Sequence, residues 1–285
     1  MNFLDAFISL SFLHLAILTA IVSGAVCGLI GPIVVTRKLS SVTGGIAHSV
    51  IGGMGLFVWL GQPPLIGALF SALVVALALS APQLQKIEDA DARVQILWSA
   101  GVALGVLFIS LTPGYGIDLM SYLFGNLLLA TNESLLLSCA VLVLSLVLLA
   151  GKYKVIESLC FDEEFSRVIG LPIRTMNMVL YCLIALAVVV LIQSVGLVLV
   201  ISLMTLPASI ALVLSRSLLQ MIIFSVLMNW GFSLLGLFLS FHFDLPTGST
   251  IILCAVFFYS IFHLLRYVML KRPFFFASSL RRSTR

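Results

Sequence analysis

The chain has 285 residues, of which 61% are hydrophobic and only 9% charged, with a mean hydropathy of +1.23 and a formal net charge of +4. A soluble domain carries about 25% charged residues, so a water-soluble fold would leave far too much apolar surface exposed, and the composition excludes one. The basic excess sits in short clusters between apolar runs, as in membrane loops, which speaks against nucleic acid as a partner.

Nine apolar stretches follow one another at about 12–35, 45–60, 64–81, 94–111, 132–150, 175–193, 196–214, 218–240 and 247–268, most of them close to the roughly 20 residues that cross a hydrocarbon core. The first runs on to Val35 and has no basic region before it, so it reads as a span rather than a cleaved signal. It carries Gly24, Gly28 and Gly31. The second is bordered or filled by Gly44, Gly45, Gly52, Gly53 and Gly55, and small residues let helix backbones approach closely in lipid. Gly61-Gln62-Pro63-Pro64 breaks the chain before the third stretch, and Thr112-Pro113-Gly114-Tyr115-Gly116 ends the fourth. Residues 119–131 are moderately apolar but too short to span, which suits a re-entrant or interfacial piece. Asp244-Leu245-Pro246-Thr247-Gly248 separates the last two stretches. The five cysteines (Cys27, Cys139, Cys160, Cys182, Cys254) are scattered with no CxxC pair and read as small apolar packing residues rather than disulfides or a metal site.

The basic residues orient the chain. With the N-terminus outside and nine alternating crossings, Arg37 and Lys38, Lys86 and Arg93, Lys152, Lys154, Arg167 and Arg174, Arg216, and the tail's Arg266, Lys271, Arg272, Arg281, Arg282 and Arg285 all fall inside; these are all 15 Lys and Arg residues. Positive residues stay on the cytoplasmic side. The reading is an all-α polytopic protein with about eight or nine transmembrane helices: one membrane domain over 1–270 and a basic cytoplasmic tail over 271–285.

Ionisable groups at membrane depth are costly, so each is a candidate site. They are few: His48 near the inner end of the second span, Asp118 before the short 119–131 segment, Glu133 at the start of the fifth span, and His242 and Asp244 in the last outer loop. Imidazole nitrogen and carboxylate oxygen suit zinc or manganese. A structural histidine and solvated loop carboxylates give the same pattern. No GxSxG, HExxH or GxxxxGKS/T motif occurs, so neither catalytic residues nor an ATP-hydrolysing site is expected in this chain.

The longest inner loop, 151–174, contains a short amphipathic helix. Asp162, Glu163 and Glu164 stand at its start, where the helix dipole favours acid. Phe165, Val168 and Ile169 follow at i, i+3, i+4 spacing, and Gly170-Leu171-Pro172 ends it. Such a helix suits docking into a groove on another protein, or lying at the lipid interface.

Six ordered segments resemble the permease subunits of the ABC-3 family, which import zinc and manganese. They are Gly31-Pro32-Ile33-Val34-Val35-Thr36-Arg37-Lys38-Leu39-Ser40, Ile46-Ala47-His48-Ser49, Asp118-Leu119-Met120-Ser121-Tyr122-Leu123-Phe124-Gly125, the 161–172 loop, Val195-Gly196 with Leu206-Pro207-Ala208, and Asp244-Leu245-Pro246-Thr247-Gly248. The resemblance extends from about Gly24 to Phe262. It implies a type II-like ABC importer permease fold and a homodimer in a bacterial or archaeal inner membrane, with a metal pathway at the subunit interface. It further implies two cytosolic ATPase subunits and an extracytoplasmic metal-binding protein. His48 would be a pathway ligand, and Asp118 and Asp244 would lie near the outer entrance. Asp162, Glu163, Glu164, Phe165, Gly170 and Leu171 would belong to the helix that docks on the ATPase. No permanently bound cofactor is implied; the divalent metal is cargo.

One departure stands out. The family commonly has an aspartate one turn before the histidine, and here that position is Gly44, followed by Gly45. Fewer carboxylates tilt the site from manganese towards zinc. The alternatives are an ABC permease for a metal chelate, whose chain is usually longer, and a secondary transporter driven by an ion gradient, which often shows inverted repeats and paired intramembrane acids.

Overall fold

The structure, a computed structural model, describes residues 11–81, 90–113, 119–125 and 127–280. Among these residues the regular elements are α-helices and one 3-10 turn. In chain order they are α1 (Ser11–Thr36), α2 (Ser40–Trp59), α3 (Pro64–Ser80), α4 (Ala90–Ser110), α5 (Leu119–Phe124), the 3-10 turn Leu127–Leu129, α6 (Asn132–Phe161), α7 (Glu163–Val168), α8 (Ile173–Val195), α9 (Leu197–Leu214), α10 (Leu218–Phe243) and α11 (Thr247–Leu280). Lipid offers the backbone no hydrogen-bond partner, so an apolar chain that crosses it must satisfy itself as helix. Eight of these helices are long and apolar enough to cross a membrane, and α3, at 17 residues, is the short one. Its length is about 25 Å at 1.5 Å per residue, against roughly 30 Å of hydrocarbon.

Packing settles what length leaves open. Gly45 lies against Val94, Gly52 against Gly101 and Gly55 against Gly105, so α2 and α4 run parallel, in contact along their length. The chain must therefore return across the layer between them, and α3 makes that return. Gly67 of α3 meets Gly53 and Phe57, and Ser71 meets Gly53, which is an antiparallel contact. The approach of α2 to α4 needs glycine on both sides: a Cβ at Gly52 would stand 2.7 Å from the Gly101 carbonyl oxygen. Among the described residues, the eight long helices and α3 match the nine apolar stretches.

The core is centred on α8, whose residues Leu183 to Val195 are mostly buried among α1, α2, α3 and α9. Helix α1 packs antiparallel to α10: Gly24 lies against Asn229, Gly28 against Val226, and the Trp230 indole donates to the Ile21 carbonyl at 2.9 Å. On its other side Gly31 meets Met204 and Ala208, beside Pro32 and Pro207, each of which removes a backbone donor from its helix. Helices α4 and α11 are the least covered spans.

Connections sort to two ends. At one, Phe124-Gly125 sits on Val195-Gly196 and on Gly248 at the start of α11. The Thr247 hydroxyl there accepts from the Leu127 amide at 3.3 Å. Gly196 separates α8 from α9 with φ +89°, a conformation glycine adopts without steric penalty. At the other end lie the α1–α2 turn, α7 and the start of α8.

Two boundaries differ from the apolar pattern, and the 119–131 segment agrees with it. Helix α6 continues past residue 150 to Phe161, with a kink at Lys152 (φ −128°, ψ 21°), because the end of lipid limits apolarity and not helicity. Helix α11 continues to Leu280, taking residues 271–280 of the basic tail into the last helix. The 119–131 segment resolves into α5 and the 3-10 turn, both too short to span. Lys86, Arg281, Arg282 and Arg285 lie outside the described residues.

Candidate metal pathway and coupling surface

His48 lies about two turns into α2, half-buried. Its ring stacks on that of Trp98 from α4, with centroids 4.3 Å apart and planes 8° from parallel. The register of the glycine contacts sets this pair: Gly45 on Val94 and Ser49 on Gly101 bring residues 48 and 98 to the same height. Trp98 also lines a pocket of about 330 Å³ with Ser41, Asp91, Val94 and Gln95. One face of each of two parallel helices thus carries Ser41 and His48 beside Asp91, Gln95 and Trp98, a polar track along the α2–α4 seam.

Gly44 stands one turn before His48. A Cβ built there would meet nothing within 4 Å, whereas one at Gly45 would stand 2.5 Å from Val94 Cγ1. Position 44 thus has open space beside it, one turn from His48. Among the described residues no group of three or more His, Cys, Asp or Glu gathers where it could hold a metal ion. Asp118 lies outside the described residues. Asp244 is the C-cap of α10 in the left-handed region (φ 58°, ψ 38°), which Asp tolerates better than most residues. The adjacent Leu245 amide donates to Ser240 O at 3.0 Å, and the Ser240 hydroxyl donates to Leu245 O at 2.6 Å. Asp244 is exposed at the end of the bundle that holds Gly196 and Gly248, while His48 lies in the half that holds Arg37; the structure does not bring them together. His242 stacks on Phe238 at 6.2 Å, and Glu133 is exposed in the first turn of α6. The five cysteines are free thiols, Cys27 buried and the others partly so.

At the opposite end the acidic start and Gly-Leu-Pro stop of the 161–172 loop build α7. Asp162 caps it, its Oδ1 accepting from the Phe165 amide at 2.8 Å. Gly170 adopts φ +77° after the last turn, and the Leu171 amide closes on Ser166 O at 3.1 Å. The Ser166 hydroxyl meets that of Ser158 on α6 at 2.7 Å. Glu164 is exposed, and Phe161, Phe165, Val168 and Ile169 all point away from the bundle, Val168 at 84% exposure. Glu163 turns the other way. Its Oε2 accepts from Arg37 Nη2 at 2.6 Å, and Arg37 Nη1 donates to Asn177 Oδ1 on α8. The Arg37 side chain is only 8% exposed.

Sequence reading singled out neither Trp98 nor Asn177, and it treated Arg37 as a topology marker. A tryptophan and an asparagine at span ends are ordinary residues; their roles come from partners 50 and 140 positions away.

The description "ABC 3 transport family" matches residues 9–266. The chain is similar to the manganese import system permease protein ScaB of Streptococcus gordonii, 31% identical over 252 residues that cover 88% of this chain and 90% of that protein. It is similar to the chelated iron transport system membrane protein YfeD of Yersinia pestis, 33% identical over 249 residues, 87% of this chain and 83% of that one. Among solved structures it resembles a chain of PsaBC from Streptococcus pneumoniae in complex with Fab, with a TM-score of 0.83 and 31% identity over 94% of this chain and 98% of that one. The fold is that of an all-helical polytopic ABC importer permease, and with the match running from the first helix into the last span, the chain belongs to the ABC 3 transport family.

Proposed function

We propose that this chain is the membrane-spanning permease subunit of an ATP-driven importer for divalent transition-metal ions, zinc ahead of manganese. The observation that carries the reading is α7: a capped helix at the end of the bundle holding Arg37, Lys38, Arg167 and Arg174, with Phe165, Val168 and Ile169 turned outward. A soluble partner's groove accounts for such a surface, and the ATPase subunits are that partner, with Asp162, Glu163, Glu164, Phe165, Gly170 and Leu171 forming and holding the docking element. Positive residues then face the cytoplasm, with the N-terminus outside and the C-terminus inside a bacterial or archaeal plasma membrane.

His48 supplies a pathway ligand, and Asp118 and Asp244 serve the outer entrance, where an extracytoplasmic metal-binding protein delivers cargo. Asp91 and Gln95 lie exposed on α4, one of the least covered spans, a costly position against lipid. A second copy of the chain covers that face and completes the pathway. Zinc is favoured because an imidazole without the carboxylate at position 44 presents a nitrogen-rich, oxygen-poor site.

The test is uptake of labelled zinc and manganese, each in competition with the other, in metal-starved cells with and without the gene. Gene-dependent uptake that prefers zinc supports the reading. Preference for manganese overturns the zinc assignment while keeping the importer. Absence of gene-dependent uptake of either ion, with the partner proteins present, overturns free-ion import and directs the search to a metal chelate.

A further inference from the structure

We propose that Arg37 is a positioning residue through which displacement of the α7 segment is passed to the helix bearing His48. The inference rests on the reading of α7 as the ATPase-docking element. The guanidinium is held at two points by two different elements: Glu163 of α7 at 2.6 Å and Asn177 of α8. It is 8% exposed, and its rigid planar fork fits both acceptors at once. Arg167 reaches the other Glu163 oxygen only at 3.8 Å and is 76% exposed, a weak competitor for the carboxylate.

Arg37 is also the first residue of a turn with no slack. Helix α1 ends at Thr36, Lys38 takes φ +55°, the Leu39 amide closes on Val34 O at 2.7 Å, and α2 starts at Ser40. His48 lies eight residues further, about 12 Å along the same rigid helix. If the ATPase shifts α7, Glu163 moves with it. Leaving a nearly buried guanidinium unpaired is costly, so Arg37 and the start of α2 follow. A merely structural staple would lose assembly and transport together; a transmission residue loses the ratio between them.

The experiment uses the permease with its ATPase subunits and binding protein in proteoliposomes, measuring metal uptake and ATP hydrolysis in the same sample. Arg37→Met and Glu163→Ala each lower the metal taken up per ATP hydrolysed by about tenfold, the scale set by a lost charge-assisted hydrogen bond. The double exchange Arg37→Glu with Glu163→Arg recovers most of the ratio, since the Asn177 amide can turn its NH2 towards a carboxylate. Unaltered uptake per ATP in Glu163→Ala, a half-exposed change that leaves folding little at risk, overturns the proposal. So does a double exchange no better than the single variants. Val168→Asp on the outward face distinguishes the underlying reading. If that variant keeps the ATPase bound and coupled, docking at α7 is wrong, whatever Arg37 does.

Discussion

Replacing Gly44 with aspartate tests the proposed metal pathway one turn before His48. The new Cβ would meet nothing within 4 Å at this buried position, so the first atom of the side chain has room. In a helix interior the change from glycine gains a few tenths of a kcal/mol in propensity. The carboxylate would lie one turn from His48, with Cβ atoms about 5–6 Å apart, within reach of an ion held by the imidazole. Two unit charges 4 Å apart attract by about 4 kcal/mol at an effective dielectric of about 20, so a divalent ion and a carboxylate attract by about 8 kcal/mol before dehydration is subtracted. Retention of a quarter of that, about 2 kcal/mol, lowers the apparent KM roughly thirtyfold. Tighter holding also slows release, so the maximum rate falls as KM falls. Manganese gains more than zinc, because the added ligand is oxygen. The assay is the initial rate of labelled manganese and zinc uptake against concentration, with the amount of protein in the membrane measured alongside. Gly45→Asp is the steric control, since its Cβ would stand 2.5 Å from Val94 Cγ1, and it loses folded protein instead. An unchanged KM for both ions in a normally inserted Gly44→Asp protein would refute the placement of His48 in the pathway.

Other outcomes follow from the same contacts. His48→Ala abolishes uptake while the chain is still inserted and folded. Trp98→Ala, which removes a stack worth about 0.5–1.5 kcal/mol, raises the apparent KM roughly two- to tenfold; uptake kinetics of the two variants check both. Gly105→Leu drives a side chain into the Ile51 backbone, where even a Cβ would stand 2.6 Å from the carbonyl oxygen. It costs about 1–3 kcal/mol of stability by overpacking, read as a lower thermal midpoint in detergent. Gly231→Leu, into open space, leaves the midpoint within the scatter of ordinary surface changes.

The spans were legible because lipid imposes one rule on all of them: a backbone without water must be helical, and its side chains must be apolar. The short helix α7 was equally legible, since Asp162, the apolar i, i+3, i+4 residues and Gly170 are local signals for a start, a face and a stop. The structure bears out each of these local features. The ends of α6 and α11 were not legible, because hydropathy marks the edge of the bilayer while hydrogen bonding carries the helix beyond it. For the candidate pathway, His48 was visible as a rare ionisable residue, but its setting was not.

Composition and local pattern alone determined that this is a polytopic helical membrane protein with nine apolar stretches, its basic residues clustered between or at the ends of them, and a short amphipathic helix within 161–172. Tertiary structure decided that the 17-residue α3 must cross, because α2 and α4 run parallel; that Trp98 covers His48; and that Glu163 faces inward to Arg37, 126 positions away. The physical reason is range. Burial in lipid and helix capping act on a residue and its neighbours within a turn, and the sequence displays those neighbours. Glycine seams, ring stacking and a buried ion pair join residues that only the packed bundle brings together.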